Sequence, residues 1–228
     1  MVADRQSTDW LTVQDLPGIL PTRQRRSQET TVALLEAAAV MLSERSLDEL
    51  SIEDLCHRVG VTIGAFYGRF ESKDAFFNAL MSLAARKALA AVRAAVADYD
   101  NLGAGLEEAC RGVVEVAVDV VRRNVGVVRA ASQYESTYPE RWGTIRATGG
   151  AMVDLATPLL LARMGRGRIA AKTRSIGFAF QMMFGTLVNA VLHKPKLVSL
   201  DEPEMVDRLA LAMFLQLQHQ ARTARPAK

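Results

Sequence analysis

Residues 50–73 read LSIEDLCHRVGVTIGAFYGRFESK. Ser51 precedes Ile52, Leu55 and Val59, an i, i+3, i+7 apolar stripe that marks one face of a short helix. Ser51 and Asp54 stand at capping-box spacing, in which each side chain takes a free backbone donor of the first turn. Gly60 ends this helix, because glycine enters the left-handed conformation without a Cβ penalty. Thr62 can cap a second helix, on which Phe66 and Phe70, four residues apart, point inward. Two short helices joined by a three- or four-residue turn containing glycine are the helix-turn-helix signature. The second of them must be apolar inside and small or polar outside to enter the major groove, which just admits an α-helix. The outward set is Thr62, Ile63, Ala65, Tyr67 and Arg69, with Gly64 alongside. Small residues at 64 and 65 allow a close approach to base edges.

Outward from this stretch the chain reads as all-α, with about nine helices and no alternating β pattern of useful length. Upstream, Val32, Leu35, Ala39 and Leu42 give a helix over about 27–45. Residues 1–26 read as a flexible tail broken by Pro17, Gly18 and Pro21 and closed by a basic cluster, Arg23, Arg25 and Arg26. Downstream, Ser72 can cap a long helix from Lys73 to about Tyr99. Further helices are expected at about 102–123, 125–136, 138–164, 168–193 and 203–222, with Pro158 kinking or splitting the third of these. The domain expectation is a tail over 1–26, a DNA-binding head over 27–72 and a helical body over 73–228.

Composition narrows the function classes. The chain has 228 residues, half of them hydrophobic, so a sizeable core can be buried. The net charge of +3 hides an asymmetry: residues 1–80 hold 8 basic and 12 acidic residues, residues 81–228 hold 20 and 13. Bulk charge therefore selects the wrong end as the nucleic-acid binder, since local placement of a few donors decides docking. The uncharged run between Arg174 and Lys194 is long enough to span a bilayer, but Ser175, Gln181, Thr186, Asn189 and His193 favour a buried core helix and no membrane. No apolar signal region follows the N-terminus, and Cys56 and Cys110 form no CxxC motif, so a reducing cytoplasm is expected. Three scattered histidines without acidic partners at fixed spacing supply neither a catalytic set nor a metal site. No enzyme activity and no cofactor are expected.

The stretch from Arg26 to Leu80, about a quarter of the chain, resembles the N-terminal domain of the TetR (tetracycline repressor) family. The resemblance rests on Val59-Gly60-Val61-Thr62, on the pair Phe66-Tyr67, and on Phe70-Glu71-Ser72-Lys73-Asp74 leading into a long helix. It implies a homodimer with a three-helix DNA-binding head, and a fourth helix leading to a body that binds a small-molecule effector. It further implies that Tyr67 and Lys73 contact phosphates and that Thr62, Ile63 and Ala65 face bases. Lys73 suits an anion physically, since it stands in the first turn of its helix, where backbone N–H groups and the helix dipole attract negative charge. The expected DNA-binding set is Ser51, Thr62, Ile63, Gly64, Ala65, Tyr67, Arg69 and Lys73, joined by Arg23, Arg25 and Arg26 of the tail. Departures from the family are Ile63, where a lysine is common, Gly68, where a larger polar or aromatic residue is common, and Arg69, where histidine or tyrosine is common.

For the body, the last two helices are expected to build the dimer interface. Gly177 and Gly185 share one face around Gln181, and Leu209, Met213 and Leu217 form the opposing stripe. Trp142, Met152, Phe180 and Met183, with Phe76 or Phe77, are candidate apolar walls of a pocket for an apolar or amphipathic effector. Gln133, Tyr134, Gln181 and Asn189 are its candidate polar handles. The leading expectation is a repressor released by such an effector from a palindromic operator in double-stranded DNA. The alternative is a helical adaptor acting through protein contacts, which absence of Tyr67 or Lys73 would have favoured; both are present.

Overall fold

A computed structural model describes residues 16–20, 25–137, 143–193, 195 and 198–223. Among them are nine helices and no strand: α1 (Arg25–Glu44), α2 (Ile52–Val59), α3 (Ile63–Tyr67), α4 (Lys73–Asn101), α5 (Leu106–Arg123), α6 (Val125–Thr137), α7 (Gly143–Arg163), α8 (Ile169–His193) and α9 (Pro203–Thr223). The all-α expectation holds. Helix α5 begins four residues later than its apolar pattern suggests. Gly103 turns the chain at φ +63°, and the Gly105 N–H donates to Glu108 Oε2, 2.7 Å away. Helix α7 runs unsplit through Pro158, although proline cannot donate to the carbonyl four residues earlier.

Packing divides the chain into two compact units, one of residues up to 86 with 124–145, the other of 87–123 with 146 onwards. In the first unit Leu34, Leu35, Leu42, Leu55, Phe66, Phe70 and Phe76 are wholly buried. Fully burying each of these side chains contributes about 1.5–3 kcal/mol. Phe66, Phe70 and Phe76 pack with ring centroids 4.9–5.2 Å apart. Phe76 and Phe77 belong to the core of the head. Helix α6 joins this unit, whereas the domain expectation put it in the body. A Cβ on Gly126 would collide with the backbone at Leu42 and Ser43, so glycine is what lets α6 reach α1.

The tail expectation fails at residues 16–20. Leu16 is buried in the core of the head and Ile19 packs against it. The Leu20 N–H donates to the Arg69 carbonyl at 2.8 Å, and Ile19 forms an isolated antiparallel bridge with Phe70. Pro17 and Gly18, expected only to break a helix, make the turn that aims Leu16 and Ile19 inward. Residues 1–15 and 21–24 lie outside the described residues.

In the second unit α9 packs against α5 and α8. The Arg122 guanidinium donates to the Leu200 and Glu202 carbonyls at 2.7 and 3.0 Å, tying the turn before α9 to α5. Arg163 donates to the Tyr99 and Ala104 carbonyls and pairs with Asp100, which satisfies an orphan carbonyl at the end of α4 and one in the turn that follows. By length and composition α4 and α8 could each cross a membrane. Helix α8 buries Ile176, Ala179, Phe180, Met183 and Leu187 against its own chain. It is not buried on most sides, however, because Phe178, Gln181, Gly185, Asn189 and Leu192 stand exposed along one face.

Candidate nucleic-acid interface

Helix α2 begins as its sequence suggests, with Ser51 extended at the N-cap and its hydroxyl accepting the Asp54 N–H at 3.3 Å. The reciprocal half of the capping box is replaced: the Asp54 carboxylate pairs with Arg45, just after α1, at 3.3 Å. Gly60 closes the helix in the left-handed conformation at φ +75°. Thr62 then caps α3, its Oγ1 accepting the Ala65 N–H at 3.1 Å. Only one turn of helix follows, so core side chains hold its orientation. Phe66 and Phe70 are completely buried, and Tyr67, edge-on to Phe66, turns outward.

The outer face of α3 is open to solvent. Ile63 is 45% exposed and Tyr67 50%, unusual values for side chains of this size. Thr62 and Gly64 are exposed between them, Ala65 is half-buried, and Ser51 is half-buried at the start of α2. A Cβ on Gly64 would meet only Thr62 Oγ1, at 3.8 Å, so nothing inside the chain demands glycine there. Lys73 opens α4 half-buried, its ammonium donating to the Asp48 carbonyl at 3.4 Å. This contact fixes the stem and leaves further N–H donors on the ammonium.

Arg69 departs from its assignment to the outward set. It is half-buried, its Nε donates to the Ser27 carbonyl at 3.2 Å, and another guanidinium nitrogen donates to the Ala65 carbonyl. Burial pushes the pKa of this guanidinium down from its usual range. A planar fork of donors can serve two carbonyls from different helices at once, which an ammonium does less well. The Ser27 contact brings the first turn of α1 beside the end of α3. Arg26, in that turn, is exposed. Arg25 starts α1, with its side chain outside the described residues, as is Arg23 altogether.

The other candidates do not converge in the same way. Met152, Phe180 and Met183 are buried in the second unit, where Phe180 stacks on Phe184 at 5.7 Å. Gln133 is exposed on α6 in the first unit, and Trp142 lies outside the described residues. Gln181 and Asn189 stand exposed on α8 and are not polar handles buried among those walls. Ser175 Oγ, which no sequence motif singles out, is buried in α8 with no hydrogen-bond partner among the described residues. Met213 and Leu217 of α9, expected across a dimer seam, are buried within the chain, and Leu211 and Leu215 are the exposed stripe.

Among the described residues no three of His, Cys, Asp and Glu come together as metal ligands. Both cysteines are buried, and burial pushes the Cys110 thiol up to about 12, with Glu107 adding to the shift. Such a thiol carries almost no thiolate at neutral pH, which is the form a nucleophile needs.

Residues 34–80 match the family described as bacterial regulatory proteins, tetR family. The fold is shared with a tetR-family transcriptional regulator from Streptomyces coelicolor, at TM-score 0.61 and 14% identity over 87% of this chain and 90% of that one. It is equally shared with a putative TetR-family regulator from Mesorhizobium loti, at TM-score 0.62 and 13% identity over 88% and 98%. No curated protein matches the chain.

Proposed function

We propose that this chain is a cytoplasmic, non-enzymatic transcriptional repressor, a reading supported by the match of residues 34–80 to the tetR-family regulatory proteins and by the fold it shares with solved structures described as TetR-family regulators. It binds a palindromic operator as a homodimer and leaves it when a small apolar or amphipathic molecule occupies the body. The observation that carries the DNA-binding part is the outer face of α3. Ile63 and Tyr67 are half exposed on a helix whose inner side chain, Phe66, is sealed against Phe70. A lone exposed isoleucine needs no explanation, but a flat face of Thr62, Ile63, Gly64 and Tyr67 on a helix-turn-helix suits a major groove.

Phosphate contacts fall to Tyr67, Lys73 and the arginines near the start of α1, and the base edges to Thr62, Ile63 and Ala65. Ser51 and Gly64 let the backbone approach. Dimerisation is assigned to the exposed faces of α8 and α9, where Phe178, Leu211 and Leu215 are each about half exposed. Leu211 and Leu215, four residues apart, fall on one face of α9, and exposed apolar side chains of this size mark an interaction surface. Met152, Phe180 and Met183 of the second unit remain the candidate effector contacts.

The test is enrichment of duplexes from a randomised pool by the full chain, followed by binding at several salt concentrations. Enrichment of a two-fold symmetric site, with affinity falling steeply as salt rises, is the expected result. Failure to enrich any sequence from 50 mM salt (roughly the regime in which phosphate contacts dominate) would sink the reading.

A further inference from the structure

The only described residues upstream of α1 run across the connection that carries the proposed DNA contacts. Gly18 lies so close to the Ala75 carbonyl that a Cβ there would collide with it, and its φ of +88° favours glycine in any case. Ile19 bridges to Phe70, and the Leu20 N–H donates to the Arg69 carbonyl at 2.8 Å. Leu16 anchors the segment in the core of the head. Residues 16–20 thus touch the chain at positions 69, 70 and 75, either side of Lys73 and just after Tyr67.

Arg69 is bound from both directions. Its carbonyl accepts the segment's N–H, while its guanidinium holds the Ser27 carbonyl of α1 and the Ala65 carbonyl of α3. Helix α3 has five residues and cannot fix its own direction through its backbone ladder. Its inner face is held by Phe66, but rotation and tilt of its C-terminal end are opposed by what grips residues 69 and 70.

We propose that residues 16–20 are a strap which, with Arg69 as its buckle, positions α3 and the start of α4 for base reading. Gly18, Leu20 and Arg69 are positioning residues that touch no DNA. This rests on the DNA-binding reading above. Removing a phosphate contact weakens specific and random duplex binding alike, whereas tilting the reading helix weakens the specific site and spares the random one. The ratio of the two affinities is therefore the diagnostic quantity.

The probes are a duplex enriched by the unaltered full chain from a randomised pool and an unrelated duplex of the same length. The variants are Gly18→Val, which drives a side chain into the Ala75 carbonyl, and the milder Arg69→Lys, which keeps the charge but not the fork. Binding is measured well below each variant's unfolding temperature. Misplacement of the reading helix by even a fraction of an ångström is expected to cut the specific-to-random ratio by about tenfold or more in both variants. An unchanged ratio overturns the strap, whether the variants melt earlier or bind both duplexes more weakly. Enrichment of no duplex by the unaltered chain instead removes the DNA-binding reading itself, and the strap with it.

Discussion

The Thr62 hydroxyl oxygen accepts the Ala65 backbone N–H at 3.1 Å, so the residue best placed to meet a base edge is also the cap of α3. The acceptor duty uses a lone pair and leaves the hydroxyl proton for a base acceptor. Thr62→Ala removes both and is expected to destabilise the chain by about 1 kcal/mol, the usual cost of removing such a cap. Thr62→Ser keeps the cap and the donor, and should restore both stability and binding. Urea unfolding followed by helical signal checks the first effect. A Thr62→Ala chain as stable as the parent would mean that Phe66 and Arg69 hold α3 without the cap.

Ile63 is 45% exposed at the first position of α3, with no carboxamide or guanidinium beside it on the outer face to pair with a purine edge. Isoleucine offers apolar contact to the thymine methyl, the one apolar group in the major groove. Replacing single thymines of the enriched site by uracil removes only that methyl. At least one position per half-site should lose affinity, and Ile63→Ala should abolish the loss. Uracil tolerated throughout, with Ile63→Ala binding normally, would leave base reading to Thr62 and DNA shape.

Features set by near neighbours in the chain are legible from residue spacing. Gly60 after Val59, Thr62 before Ile63, and Phe66 four residues from Phe70 each act within about a turn of themselves, which is enough to place α2 and α3. What escapes such a reading depends on distant partners. Residues 16–20 are too few to show a period, and their partners lie some fifty positions on at Arg69, Phe70 and Ala75. Arg69 has the pattern of a surface donor because its acceptors are carbonyls, which carry no mark in a sequence. On α9, Leu211 and Leu215 form one apolar stripe and Met213 and Leu217 another. A helix apolar on two faces does not disclose which of them meets its own chain.

The exposed face of α8 offers a clean test of assembly. A Cβ on Gly185 would meet nothing within 4 Å inside the chain, and Phe178 is half exposed on the same helix. Gly185→Trp should therefore leave the single chain intact, and removing a mid-helix glycine even favours the helix by up to about 1 kcal/mol. Across a close two-fold seam the same side chain has no room. Light scattering at micromolar concentration should show a dimer for the parent and a shift toward monomer for the variant, with helical content unchanged. A monomeric parent, or a variant as dimeric as the parent, would place the seam elsewhere.

Arg25 and Arg26 open α1, and no acidic residue stands in that first turn. Cations at a helix N-terminus face the positive end of its dipole, which costs each about 0.3–1 kcal/mol where the charge is exposed. A phosphate group facing this turn would reverse the sign. Arg69 keeps this turn beside the end of α3 through the Ser27 carbonyl. Replacing Arg23, Arg25 and Arg26 by Gln leaves residues 16–20 in place, as a deletion through residue 26 would not. The slope of log affinity against log salt should flatten by up to about three units, at about 0.9 for each phosphate no longer neutralised. The preference for the enriched site over a random duplex should change little, because phosphate contacts position the head and carry no sequence information. A slope equal to that of the parent would show that these arginines face no phosphate. The dipole cost at the start of α1 would then be a stability term alone, visible as a higher unfolding midpoint in the Gln variant.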